Sequence, residues 1–194
     1  MLDTSLENIH VLMRRPAGLP RPEPAPLRES HSIRLYQPGD REHWAAIETS
    51  VLEFTNETAA AAYHDTEFGS APLELLRRQL FAVNACGVPV GTASAWWMNA
   101  PVGYLPCVHW VAVKPEAQGL GLGRALVAEV IRLLIELEGD VDLYLTSQTR
   151  SHKALRIYRA FGFDFDTQNP WPYPGKQTNT TAEAVAYLTA LNLL

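Results

Sequence analysis

Cysteine is scarce in this chain of 194 residues: only Cys86 and Cys107, with no CxxC pair. That excludes a disulfide framework and points to free thiols in a reducing compartment. Neither the cysteines nor His64 and His152 have the spacing of metal ligands, so no metal is expected. No apolar run approaches the ~20 residues of a membrane span, so no membrane association is expected. Long runs of lysine or arginine are missing too. With a formal net charge of −5, nucleic acid is disfavoured as a partner, whereas cationic amines suit an acidic surface. Near the start, Asp3 and Glu7 come early and Arg14-Arg15 follow the apolar residues. That is the reverse of a signal peptide, and a cytoplasmic location is expected.

Two phosphate-binding signatures are also absent. A P-loop needs Gly-Lys-Ser/Thr after its spacer, but Gly123 is followed by Arg124-Ala125. A dinucleotide fingerprint needs G-x-G-x-x-G, and Leu126 stands where its last glycine belongs. What is present is Val111 to Val127, VAVKPEAQGLGLGRALV. Val111-Ala112-Val113 ends a strand, and Lys114-Pro115 stops it, because proline has no ladder donor. Gly119, Gly121 and Gly123 follow at alternate positions. Leu126, Val130, Leu133 or Leu134, and Leu137 then repeat at helical spacing. A strand, a glycine-rich turn and a helix N-terminus make an anion site, since the first helical amides have no intrahelical partner. Arg124 adds a cation with a fork of donors.

A second stretch lies about thirty residues on: Ser151 to Phe163, SHKALRIYRAFGF. Ala154, Leu155 and Tyr158 are at helical spacing, and Gly162 is placed to end the helix. The run Gln118-Gly119-Leu120-Gly121-Leu122-Gly123, a Q-x-x-G-x-G signature, together with Ala154, Tyr158, Gly162 and Phe163, resembles the GNAT superfamily of acyl-CoA N-acyltransferases. Ser151 stands where that family more usually has asparagine, and serine also caps helices. The resemblance covers about residues 31 to 170 and is silent on the acceptor. It implies acetyl-CoA as co-substrate, with its pyrophosphate in the glycine turn and its acyl arm beside Val111, Ala112 and Val113. It also implies Tyr158 as the acid for the departing thiolate and direct transfer to the primary amine of a small molecule or peptide. The rival reading is a non-catalytic acyl-CoA-binding module, and a third is transfer of a longer acyl group or transfer to a hydroxyl.

The rest of the chain reads as elements around that site. Met1 to Met13 carries Leu2, Leu6, Ile9, Val11 and Leu12 in a pattern that fits a short helix or a strand. Five of the eleven residues from Pro16 to Pro26 are proline, which favours extended polyproline II. The run reads as a stiff linker or as an arm across the domain or a neighbouring subunit of a homodimer; residues 1–30 are expected to form an arm packed on its own domain. Ser32 to Gln37 alternates and reads as the first strand. Asp40 is expected to cap a helix, the alanine run before Tyr63 suggests another, and Ser70 with Pro72 opens a third. Leu80–Ala85 and Val90–Met98 form a hairpin, and Leu105–Val113 leads into the glycine turn. Val141–Thr146, Phe163–Asp166 and a final helix over Thr181–Leu191 complete the order, with Asn169–Gly175 a rigid aromatic loop. The expected fold is a single α/β domain over 31–194. It has a mixed central sheet splayed at the acyl-CoA site, with flanking helices.

Acyl transfer to an amine needs a neutral amine, donors for the oxyanion and a proton for the thiolate. A phenol near pKa ~10 can serve as a weak acid for a thiol near ~8.5. The backbone amides of Val111 to Val113 are the candidate oxyanion donors. For the base, His109, Glu53, Glu57 and a water chain stay open, with His109 expected on the same pleat face as Val111. Trp96, Trp97, Trp110, Trp171 and Tyr173 are expected mostly in the core. Any that faced the cleft would favour an apolar or cationic acceptor.

Overall fold

The computed structural model describes residues 2–27, 30–100, 103–172 and 178–194. One seven-stranded sheet runs through it in the order β2-β3-β4-β5-β6-β1-β7. The strands are β1 His10–Arg15, β2 Ser32–Leu35, β3 Gln79–Val83, β4 Pro89–Ala100, β5 Gly103–Val113, β6 Leu143–Gln148 and β7 Asp164–Phe165. The helices are α1 Asp40–Ser50, α2 Glu57–Phe68, α3 Pro72–Arg78, α4 Leu122–Glu138, α5 His152–Ala160 and α6 Thr181–Ala190.

The N-terminal segment packs on its own domain, and of the helix or strand open to it from sequence it forms a strand. Its residues 10–15 are an inner strand, so Ser32–Leu35 is the second strand and not the first. β1 pairs antiparallel with β6 on one side, Met13 opposite Leu145, and with β7 on the other, Met13 opposite Phe165. Val11, Leu12 and Met13 are all buried, because a strand flanked on both edges and covered on both faces has no solvent side. The proline stretch then runs back over α4. Arg132 donates to the Pro22 carbonyl at 3.0 Å, and Arg15 donates to that of Pro20 at 2.6 Å.

The two faces of the sheet take different helices. Successive residues of a strand point to opposite faces, so Leu80 and Ala82 join one core, while Phe81 and Val83 join the other. The first core is aliphatic and receives α4 through Leu122, Leu126, Val130 and Leu134. A fully buried side chain of this kind contributes about 1.5–3 kcal/mol. The second is aromatic and receives α1 and α2 through Trp44, Ile47, Ala60 and Phe68.

Two expected caps are not used. Gly39, at φ +100°, precedes α1. The Asp40 carboxylate instead accepts from Arg34 at 2.5 and 2.8 Å and from the Gln37 amide at 2.7 Å. Ala71, not Ser70, precedes α3, and Pro72 sits in its first turn as expected.

β4 and β5 pair along nearly their whole length, but the register slips between Thr92 and Ser94. Opposite that slip Trp110 has φ +47°, a bulge that adds a residue to β5. β5 and β6 run parallel and pair only at Cys107 and Tyr144. Beyond that point their C-terminal ends part, and the cleft between them opens beside the glycine turn.

Candidate functional site

The parting of β5 and β6 makes a cavity of about 740 Å³. Its floor is the end of β5, where Val111, Ala112 and Val113 lose β6 as a neighbour. One wall is the turn into α4. Gln118 donates from Nε2 to the Val113 carbonyl at 2.9 Å, which ties the turn to the strand. Gly119 and Gly121 have φ +77° and +82°, a region that suits glycine, and a Cβ built on either meets nothing within 4 Å. The turn is thus a cradle with free space above its backbone.

α4 starts at Leu122 with no side-chain cap and no acidic residue in its first turn. Its first amides are therefore open to a ligand, with the positive end of the dipole behind them. Arg124 lies on the same wall, its guanidinium 4.7 Å from the Phe161 ring centre. A cradle of bare backbone, an uncapped helix start and an arginine fit the pyrophosphate of coenzyme A.

The opposite wall is the end of β6 and the start of α5, with Ser151 and Ala154 on the cavity. Ser151 precedes α5 but makes no capping hydrogen bond. Tyr158 lies one turn beyond Ala154 on the same wall and is 7% exposed. Burial first, and then the charges of Glu48 and Glu53, push its phenol above its ordinary pKa. The proton stays on the phenol at working pH. Gly162, at φ +87°, ends this helix turn, and Phe163 returns under Tyr158, ring centres 6.2 Å apart.

Tyr158 and every cofactor-binding residue nominated by the sequence line this cavity except Leu120, which packs on the aliphatic core. Of the candidate bases, Glu53 lines the cavity and His109 does not. The bulge at Trp110 breaks the alternation of β5, so His109 and Trp110 both face α2, while Val111 faces the other core. His109 bonds Glu67 of α2 at 2.9 Å. Glu57 is exposed in the first turn of α2 and off the cavity.

Trp96 and Phe68 are in edge contact, and Trp97 covers the Arg78 guanidinium. Trp171 sits on His10, away from the cleft. Tyr173 and the end of its loop lie outside the described residues. Cys107 is buried, and burial raises its thiol pKa. Among the described residues no three His, Cys, Asp or Glu side chains gather as a metal site, and no helix is long and apolar enough to cross a membrane.

Sequence reasoning missed two parts of the wall. Leu2 to Ser5 line the mouth, held by Asp3 N to the Arg150 carbonyl at 2.8 Å. That segment carries no motif and reaches the site only through the placement of β1. Arg150, His152 and Lys153 also line the cavity, and the basic residues flanking Ser151 were a readable signal. Glu48 stands just behind. Its position four residues after Trp44, within the buried stripe of α1, was visible from helical spacing.

The Acetyltransferase (GNAT) family matches residues 44–163, more than half of the chain. A mycothiol acetyltransferase of Thermobispora bispora is 33% identical over 169 residues, 78% of this chain and 52% of that protein. One from Streptomyces bingchenggensis is 33% identical over 170 residues, 78% and 49% of the two chains. The chain spans about half the length of these curated relatives. Among solved structures, a GCN5-related N-acetyltransferase of Sphaerobacter thermophilus shares the fold. It superposes with TM-score 0.61 at 22% identity over 82% of this chain and 49% of that one. A family match across the glycine turn and the tyrosine helix, on a sheet that parts at that turn, places the chain in the GNAT acetyltransferase family.

Proposed function

We propose that the protein transfers an acetyl group from acetyl-CoA to the primary amine of a small molecule or peptide, by direct attack while both are bound. One observation carries the reading. The open glycine cradle and the buried phenol of Tyr158 stand on facing walls of one cavity, with the free end of β5 between them. When bound, the co-substrate supplies an activated acyl thioester. The cradle and the first amides of α4 hold its pyrophosphate. The amides of Val111 to Val113 align the acyl arm and face the carbonyl oxygen as charge develops on it. Tyr158 holds a proton for the departing sulfur. The cysteines take no part: Cys107 is buried against the aromatic core and Cys86 lies in the β3–β4 turn.

The test is release of coenzyme A thiol from acetyl-CoA against a panel of amines. The acceptor implied by the relatives' name, mycothiol acetyltransferase, heads the panel, followed by polyamines, amino acids, aminoglycosides and peptide N-termini. Amine-dependent thiol release is the expected result. Tight acetyl-CoA binding with no turnover on any amine would leave a binding module instead.

A further inference from the structure

We propose that the turn Leu2–Ser5 selects the acceptor: it forms a rim across the far side of the cleft, admits an amine carried on an unbranched chain and turns away one on a branched carbon or a ring. This rests on the acyl-transfer reading above and goes on to the class of acceptor.

The placement follows from what each end of the segment meets. The cradle belongs to α4, on the aliphatic face, so a ligand held there by its pyrophosphate reaches the parting of β5 and β6 from that side. The N-terminal segment crosses the end of β6 from one face to the other. Leu6 packs on the aliphatic core, and the Glu7 amide donates to the Tyr187 hydroxyl of α6 at 3.0 Å. Leu2 is at the other end of the crossing, its amide 3.4 Å from the Val51 carbonyl, where α1 ends on the aromatic face. Leu2 to Ser5 thus line the cavity between the β6–α5 junction and the end of α1. With one side taken by α4 and the cradle, the second substrate is left the α1 side, where this rim stands.

The turn is built to hold its shape. Asp and Ser favour turns because a short polar side chain can bond the backbone two residues on. Here Asp3 Oδ1 accepts from the Ser5 amide at 3.1 Å and from the Ser5 hydroxyl at 2.5 Å. The Leu6 amide closes the turn on the Asp3 carbonyl at 3.2 Å. Thr149 and Arg150, between β6 and α5, clamp it from below. The Asp3 amide donates to the Arg150 carbonyl at 2.8 Å, and Arg150 Nε donates to the Leu6 carbonyl at 2.9 Å. The buried Thr149 hydroxyl accepts from the Ile9 amide at 3.1 Å and donates to the Glu7 carbonyl. A segment tied to fixed backbone at so many points is a wall and not a swinging lid.

The chemistry of the rim says what it sorts. The Asp3 carboxylate is occupied by Ser5, with its other oxygen 3.7 Å from His152 Nε2. It holds the turn instead of offering its charge to an acceptor. Thr4 and Ser5 are exposed, whereas Leu2, next to Val51, is half-buried. The rim therefore meets the α1 side with an aliphatic residue, which makes no polar bond and discriminates by volume. Apolar walls of this kind separate ligands that differ by one methylene by about 10- to 200-fold.

The test is kcat/KM for the full chain with acetyl-CoA and matched amines. The pairs are n-hexylamine against cyclohexylamine, and the best acceptor of the panel above against its α-methyl analogue. Wild type should prefer the unbranched member by roughly 10- to 200-fold. Removing residues 1–7, which leaves β1, should reduce that preference by ~10-fold or more through a gain on the bulky member. Acetyl-CoA affinity by calorimetry should stay the same. Leu2→Ala, which leaves the turn in place, should move the preference in the same direction and Leu2→Trp in the opposite one. Asp3→Ala, which frees the turn, should act as Leu2→Ala does. A preference unchanged by the truncation and by both Leu2 substitutions overturns the proposal, as does a wild type that takes both members equally. A truncated chain that binds acetyl-CoA more weakly and slows on both amines alike also overturns it, and assigns the segment to the cofactor. Wild-type protein that binds acetyl-CoA but releases no thiol with any amine overturns the acyl-transfer reading, and this proposal with it.

Discussion

The two faces of the sheet are built from different materials. The face under α4 and α5 is aliphatic: its buried set is Val, Leu, Ile and Ala, with Met13, Tyr158 and Phe163. The face under α1 and α2 is aromatic, with Trp44, Phe68, Phe81 and Trp96 buried and Phe54 and Trp110 packed on them. The polar accounts differ as well. Trp44 Nε1, Glu48 Oε1, Thr49 Oγ1 and Trp110 Nε1 are buried without a partner, all on or against the inner side of α1. On the aliphatic side, among the described residues, His152 Nδ1 is in that state, and Arg132 Nε has only an ion-pair contact to Glu129 at 3.3 Å. An unmade buried hydrogen bond costs about 1–3 kcal/mol, so stability alone does not account for the aromatic face. The aliphatic face closes on itself and offers a backbone cradle suited to one fixed cofactor.

The largest expected effect tests whether the aliphatic face depends on the N-terminal strand. Deleting residues 1–28 removes Ile9, Val11, Leu12 and Met13, all buried. At about 1.5–3 kcal/mol each, their loss rivals a domain's whole stability of about 5–15 kcal/mol. The truncated chain should be unfolded by circular dichroism, whereas removal of residues 1–7, which leaves β1, should keep a cooperative melt. A folded 29–194 fragment would show that β6 and β7 close without β1.

Next comes Gly121→Asp. It sets a carboxylate in the open cradle and forces an aspartate to φ +82°. Acetyl-CoA binding should fall at least ~10²-fold in calorimetry, as expected for a charge placed against phosphate, while the fold is kept. Unchanged affinity would move the cofactor off the aliphatic edge.

Tyr158 sits on the seam between the two faces, buried in the aliphatic core while feeling the charges of Glu48 and Glu53. Tyr158→Phe keeps the ring and deletes the proton. The chemical step should slow by ~10²–10⁴-fold, with acetyl-CoA affinity close to wild type. The loss should shrink with an acyl donor whose thiol is more acidic. An equal loss with both donors would indicate a misplaced thioester rather than a missing acid.

These effects track what was readable in the chain. The glycine turn and the tyrosine helix were legible because their chemistry acts through backbone and spacing: Gly119 and Gly121 need positive φ, and Gly162 ends a turn. The order of β3, β4, β5, α4 and β6 followed from local periodicity. β1 was not legible, because HVLMRR buries both faces and shows no alternation, and because its partners are about 130 and 150 residues away. The face of His109 was misread because one extra residue at Trp110 shifts the pleat, and nothing in the local sequence marks a bulge at a tryptophan. Glu53 was one open candidate among several. Only the fold shows that it lies on the cavity and that Glu57 does not.

The smallest expected effect gives the finest test of the comparison, because it asks whether the aliphatic edge separates binding from stability. Arg124 sits in the first turn of α4, where a cation opposes the helix dipole. A residue chosen for helix stability there would be acidic, yet that turn holds no acid. The structure adds a competing role, since the guanidinium stacks on Phe161 at 4.7 Å. An exposed cation–π contact is worth about 0.5–1 kcal/mol, and relief from the dipole returns about 0.3–1 kcal/mol. The two nearly cancel. Arg124→Ala should therefore leave the melting temperature of the ligand-free protein within a degree or two. A charge-assisted contact to phosphate contributes about 1.5–3 kcal/mol, so acetyl-CoA affinity should drop roughly 10- to 100-fold, and by the same factor with every acceptor. Arg124→Glu should weaken binding further while the ligand-free protein gains stability from the dipole. If both substitutions lower the melting temperature and spare the affinity, the arginine serves Phe161 and the cradle binds by backbone alone.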